Sequence, residues 1–94
     1  MQSEITQEKL KKYFLVAEKA LLLAEKSENK TSLVKEREDF LDMIRRYISD
    51  AKHFKEKGEI ITAFAALNYA HGWLDAGARL GIFDVHDNKL FTVD

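Results

Sequence analysis

Residues 60–80 read Ile60-Ile61-Thr62-Ala63-Phe64-Ala65-Ala66-Leu67-Asn68-Tyr69-Ala70-His71-Gly72-Trp73-Leu74-Asp75-Ala76-Gly77-Ala78-Arg79-Leu80. Successive residues of a helix turn by about 100°. On that projection Ile60, Ala63, Phe64, Leu67, Ala70, Leu74 and Ala78 share one broad face, the stripe that an amphipathic helix buries. Tyr69, Trp73, Ala76 and Leu80 lie roughly opposite, with Asn68, Gly72, Asp75 and Arg79 as a polar or small strip between them. A helix apolar on two sides needs two neighbouring elements, a covering tail or a second molecule. Gly72 and Gly77 each cost roughly 1 kcal/mol relative to Ala in a helix interior. Together with Ala65, Ala66 and Ala76 they predict a tight packing contact along that side.

The rest of the chain supplies helices to pack against this one. Thr6 is placed to cap a first helix over 7–27, where Leu10, Tyr13, Phe14, Ala17, Leu21 and Ala24 recur at spacings of three and four. Leu15, Val16, Leu22 and Leu23 fall outside that stripe, so this helix shows apolar surface in several directions. The polar run 27–32 reads as a loop, with Ser32 as the expected cap of a second helix over 32–57. Its inward stripe is Leu33, Phe40, Met43, Ile44, Tyr47, Ile48, Ala51 and Phe54; Asp39, Asp42, Arg46, Ser49, Asp50 and His53 form a solvated face. Gly58 and Gly81 stand where left-handed residues close helices. The short link at 56–59 folds helices two and three into an antiparallel hairpin. Residues 82–94 have no helical period. Asp87-Asn88 is expected to turn a small hairpin, pairing Val85 with Leu90 and Phe83 with Thr92. Ile82, Phe83, Leu90, Phe91 and Val93 would then cover the Tyr69–Trp73–Leu80 side of the third helix.

Composition narrows the class. Ninety-four residues with 46% hydrophobic and 33% charged content suit one soluble domain, 1–94. Such a chain buries roughly 60% of its unfolded surface, enough for one modest core. The chain has no Pro and only 4 Gly, which favours long helices with few tight turns. Without Cys there are no disulfides, thiolate metal sites or Cys nucleophile. The net charge of −1 is spread along the chain, and no basic block points to nucleic acid. No signal-peptide core and no apolar run of about 18 residues appears, so a cytoplasmic, soluble protein without a membrane anchor is expected.

Few constellations carry chemistry. His71 and Asp75 sit four apart, where a carboxylate orients an imidazole as in general base catalysis. The competing reading is a core His satisfied by Asp75 or by the hydroxyl of Tyr13 or Tyr47. Asn68, His71, Asp75 and Arg79 form the candidate polar or ligand cluster, with no nucleophile within one turn of His71. Asp84, His86, Asp87 and Asn88 match no calcium loop and read as a turn. No metal site and no cofactor is expected. The hairpin from Arg45 to Ala70 is similar to that of HEPN ribonucleases over less than half the chain. In that family the Arg and His stand in a later helix, so Arg46 and His53 do not correspond to them and read as surface residues.

A tighter resemblance runs through Asp39-Phe40-Leu41-Asp42-Met43, Arg45-Arg46-Tyr47, Ser49-Asp50-Ala51-Lys52 and, above all, residues 68–81. These blocks resemble the archaeal family called domain of unknown function 357. The resemblance implies an all-α, three-helix up-and-down antiparallel bundle with a left-handed twist, similar to a spectrin repeat, and an archaeal source. It implies no activity and no catalytic residues. Periodicity independently gives three helices joined by short links.

Three functions compete on this reading. The first is a non-catalytic structural or interaction module, self-associating or binding another protein, with Leu15, Leu22, Leu23, Tyr69 and Trp73 as candidate interface residues. The second is a small-ligand or catalytic site around His71, Asp75 and Arg79. The third, by HEPN analogy alone, is an RNA-associated role, which the near-neutral charge disfavours.

Overall fold

The computed structural model describes residues 5–92. Its three helices are α1 (Gln7–Lys26), α2 (Val34–Glu56) and α3 (Ile60–Leu80), joined by short links into an up-and-down bundle of 41 × 24 × 21 Å. The ends follow local chemistry. The Thr6 hydroxyl oxygen accepts from the Lys9 N–H at 3.1 Å and caps α1. Gly58 and Gly81 adopt φ of +80° and +84°, closing α2 and α3. The start of α2 departs from expectation. Ser32 does not cap it, and the helix begins at Val34 with no side-chain cap. Asn29 and Thr31 hold the preceding loop instead. Asn29 Oδ1 accepts from the Thr31 N–H at 3.0 Å, and Thr31 Oγ1 accepts from the Leu33 N–H at 3.0 Å. Such local side-chain bonds compete with the first helical turn and delay it.

The core draws on every element. α1 buries Leu10, Phe14, Ala17, Ala20 and Ala24; α2 buries Leu41, Ile44, Ile48 and Ala51; α3 buries Ala63, Ala66, Leu67, Ala70, Leu74 and Gly77. Leu33, assigned inward from its spacing, is exposed, and Leu41, left out of the stripe, is buried. A helix that meets two neighbours buries a wider arc than one stripe describes. Aromatic rings close the outer seams. Tyr13 meets Phe64 edge-on at 4.7 Å, Phe40 meets Trp73 edge-on at 4.9 Å, and Tyr47 stacks on Tyr69 at 5.4 Å.

The segment after α3 is not a hairpin; no strand occurs among the described residues. The Asp87 carbonyl accepts from the N–H groups of Leu90 and Phe91 at 3.2 and 2.9 Å, and its side chain accepts from the Lys89 N–H at 2.9 Å. Asp87 thus takes the donors into a compact turn. An isolated pair of strands is marginal in water, whereas the helices offer apolar surface to cover. Ile82, Phe83, Val85 and Phe91 are all buried. Val93, expected to pack with them, lies outside the described residues. Two backbone bonds tie the tail to the α1–α2 loop: Lys30 N–H to the Gly81 carbonyl at 2.8 Å and Asp84 N–H to the Glu28 carbonyl at 2.9 Å.

The tail takes a different edge of α3 from the one expected. A Cβ at Gly77 would collide with the Phe83 ring, so glycine is what admits that ring. The tail leaves along that edge, while Tyr69 stays 63% exposed and Leu80 57%. The tight contact expected at both glycines therefore exists at Gly77 only; nothing lies within 4 Å of a Cβ placed on Gly72.

Candidate functional site

The polar cluster on α3 holds the tail. The Thr92 N–H donates to Asp75 Oδ1 at 2.7 Å, and the Thr92 hydroxyl donates to Asp75 Oδ2. Arg79 Nε donates to the Thr92 carbonyl at 3.0 Å. One turn of helix thus places a carboxylate and a guanidinium on the two polar ends of one residue. His71 Nε2 stands 3.8 Å from Asp75 Oδ1, beyond hydrogen-bonding distance. It lines a crevice of ≈ 350 Å³ against α1 that Tyr13, Val16 and Leu67 also line. Asn68 is exposed on the rim between this crevice and the outer side of α3.

This order of groups does not match nucleophilic catalysis. Activation of a hydroxyl requires an imidazole against it and a carboxylate behind the imidazole. Here the hydroxyl meets the carboxylate directly. Nor do the residues make a metal centre: no group of three or more His, Asp or Glu able to hold an ion occurs among the described residues. Arg46 pairs with Asp42 at 3.0 Å on the exposed face of α2, and His53 is exposed two turns further on. No helix among the described residues is long and apolar enough to cross a membrane.

A second feature is apolar. A groove of ≈ 640 Å³ runs along the outer side of α3. Ala65, Asn68, Tyr69, Gly72 and Ala76 form its floor, with Trp73 and Phe40 at one side. Tyr69 and Trp73 belong to it among the candidate interface residues. Leu15, Leu22 and Leu23 do not, although α1 exposes all three, Leu15 and Leu22 by half or more.

The sequence reading missed Arg37. Its guanidinium donates to the carbonyls of Ala24, Ser27 and Ile82 at 3.1, 2.8 and 2.7 Å, and lies 5.4 Å from the centre of the Phe83 ring. One side chain thus satisfies the C-terminal carbonyls of α1, where a positive charge is favoured, and joins them to the tail. The signal was present. Arg37 is one turn before Leu41 and two before Ile44, so it continues the buried row of α2 with a charge.

Lys30 marks the same junction. Its ammonium is 3.2 Å from Glu28 and 3.8 Å from Asp84. The hydrogen bond and charge of Glu28, followed by the charge of Asp84, hold it above the ordinary lysine range.

The family profile described as protein of unknown function (DUF357) matches residues 12–83. The chain belongs to that family. The DUF357 match takes in most of α1, all of α2 and α3, and Phe83; Thr92 lies beyond it. No curated protein and no solved structure matches the chain.

Proposed function

We propose that this DUF357 protein is a non-catalytic interaction module that binds a protein partner through the outer side of α3. The observation that carries the proposal is the open apolar groove floored by Ala65, Tyr69, Gly72 and Ala76. Ile61 and Leu80 extend it at either end, each more than half exposed. From Ile60 to Leu74 α3 bears no Lys, Arg, Asp or Glu, and protein contact surfaces are depleted in charge at their centre. Asp75 and Arg79, the charges that follow, already hold Thr92. The archaeal source implied by the family resemblance, and a cytoplasmic location suggested by the lack of Cys, belong to the same proposal.

The test is capture with matched variants. Wild type, Gly72→Glu and Leu22→Glu are immobilised and exposed to extract of the source cell. Gly72→Glu places a charge in open space on the groove floor, and Leu22→Glu does the same on α1. A specific partner retained by wild type and Leu22→Glu but lost by Gly72→Glu is the expected result. Equal retention by all three would remove the groove from the proposal.

A further inference from the structure

We infer that the outer face of α1 docks an acidic amphipathic helix of a protein partner. The inference concerns a second surface and is independent of the α3 groove. Lys12, Lys19 and Lys26 recur every seventh residue along α1, and all three are exposed. Leu15 and Leu22 run in a row about 60° to one side of the lysines, and Val16 and Leu23 in a row about 40° to the other. Leu15 and Leu22 are exposed by half or more, and Leu23 by more than a third. A seven-residue repeat drifts only about 20° per heptad around a straight helix. The lysine row and both apolar rows therefore stay on one side of α1 from Lys12 to Lys26, over about 21 Å.

The charges say what complements this face. Between Lys12 and Lys26 the acids of α1 are Glu18 and Glu25. Both are taken by α2: Lys52 stands 3.5 Å from Glu18, and Arg45 stands 2.6 Å from Glu25. Lys12, Lys19 and Lys26 form no ion pair among the described residues. Asp84 and Asp87 share a depression with Leu23 and Lys26, and they too are engaged. Asp84 meets His86 at 2.9 Å and Lys30 at 3.8 Å, and the Asp87 carboxylate accepts from the Lys89 N–H. Glu8, one turn before Lys12, bounds the row at its start. The face is thus a positive ridge between two apolar rows, and its complement is a row of acids between two apolar rows. A helix that crosses at about 20° repeats its contacts every seven residues, so its acids meet each lysine in turn while its leucines pack on the flanking rows. A lipid surface fits less well, because inserting the leucines would carry the lysines between them into hydrocarbon. Nucleic acid would use the lysines and leave both apolar rows in water.

The test uses the full-length protein and two synthetic helical peptides of three heptads. They share their leucines, and one carries Glu and the other Lys at the positions that meet the lysine row. Fluorescence anisotropy should show binding of the Glu peptide alone, weakening at least about tenfold as salt is raised to about 0.5 M. Lys19→Glu should weaken that binding at least about tenfold, and Gly72→Glu should leave it unchanged. Reversal of the whole row, Lys12→Glu with Lys19→Glu and Lys26→Glu, should transfer the preference to the Lys peptide, a gain that a misfolded chain could not show. Equal binding of both peptides, or binding of neither, overturns the inference. So does a map of amide shifts centred on α3 instead of α1, or binding to mixed phosphatidylcholine–phosphatidylglycerol vesicles with the Glu peptide ignored. Gly72→Glu reports on the groove and Lys19→Glu on α1, so the two surfaces fail separately.

Discussion

Gly72 and Gly77 lie five residues apart on α3 and carry opposite expectations. Gly72 faces open space, so Gly72→Ala should raise stability by up to about 1 kcal/mol through helix propensity alone. Gly77→Ala gains the same propensity but drives a methyl into the Phe83 ring, which is fully buried and has no room to retreat. Overpacking of that kind costs about 1–3 kcal/mol, so a net loss is expected. Urea unfolding of the two variants measures both signs, and a stabilised Gly77→Ala would show that the tail is not seated on α3. Arg37 is a sharper case. Arg37→Lys keeps the charge but loses the planar fork that reaches the carbonyls of Ala24, Glu25, Ser27 and Ile82 and lies over Phe83. A cost of about 1.5–3 kcal/mol is expected, close to that of Arg37→Ala. Lys30 gives a pH dependence. Its raised folded-state value means that the charged form is favoured in the fold. The contribution is therefore present in full below the lysine range of the unfolded chain, about 10.4, and is lost as pH rises through the higher folded value. The group is exposed and the effect small. The difference in Tm between wild type and Lys30→Gln should hold constant near neutrality and close in strong alkali.

At the scale of elements, the three helices were readable because their apolar residues repeat at three and four, and because Thr6, Gly58 and Gly81 mark their ends. The start of α2 was not, since Asn29 and Thr31 act through the loop's own N–H groups rather than through the helix. Nor was the course of the tail. Turn residues at Asp87 predict a reversal equally well for a hairpin and for a helical turn, and only tertiary burial of Phe83 and Phe91 selects the second. The candidate cluster was legible in part. The four-residue spacing of Asp75 and Arg79 announced a shared polar surface, but its ligand is Thr92, 17 and 13 residues further along. No pattern rule reaches that far. Asp75→Ala should release this clasp at a cost of about 0.5–1.5 kcal/mol. Hydrogen exchange should accelerate at the Thr92 amide, with the centre of α3 unchanged; equal acceleration throughout α3 would mean that Asp75 supports the helix rather than the tail.

At the scale of the whole molecule, a chain of this length places one helix between two others and one tail, and these leave an apolar side of α3 uncovered. The tail does not cover it: Phe83 packs at Gly77 and Thr92 is held by Asp75 and Arg79, while Tyr69 and Leu80 stay exposed. The exposed side is nearly charge-free, while the remaining surface is rich in Lys, Arg, Asp and Glu. Surfaces so divided are how small helical proteins specify one contact among many. The most direct measurement is capture of a binding partner from source-cell extract by immobilised wild type beside Gly72→Glu. Wild type should retain a specific partner that Gly72→Glu loses. Retention by neither, or equal retention by both, would contradict the assignment of the α3 side to a protein contact.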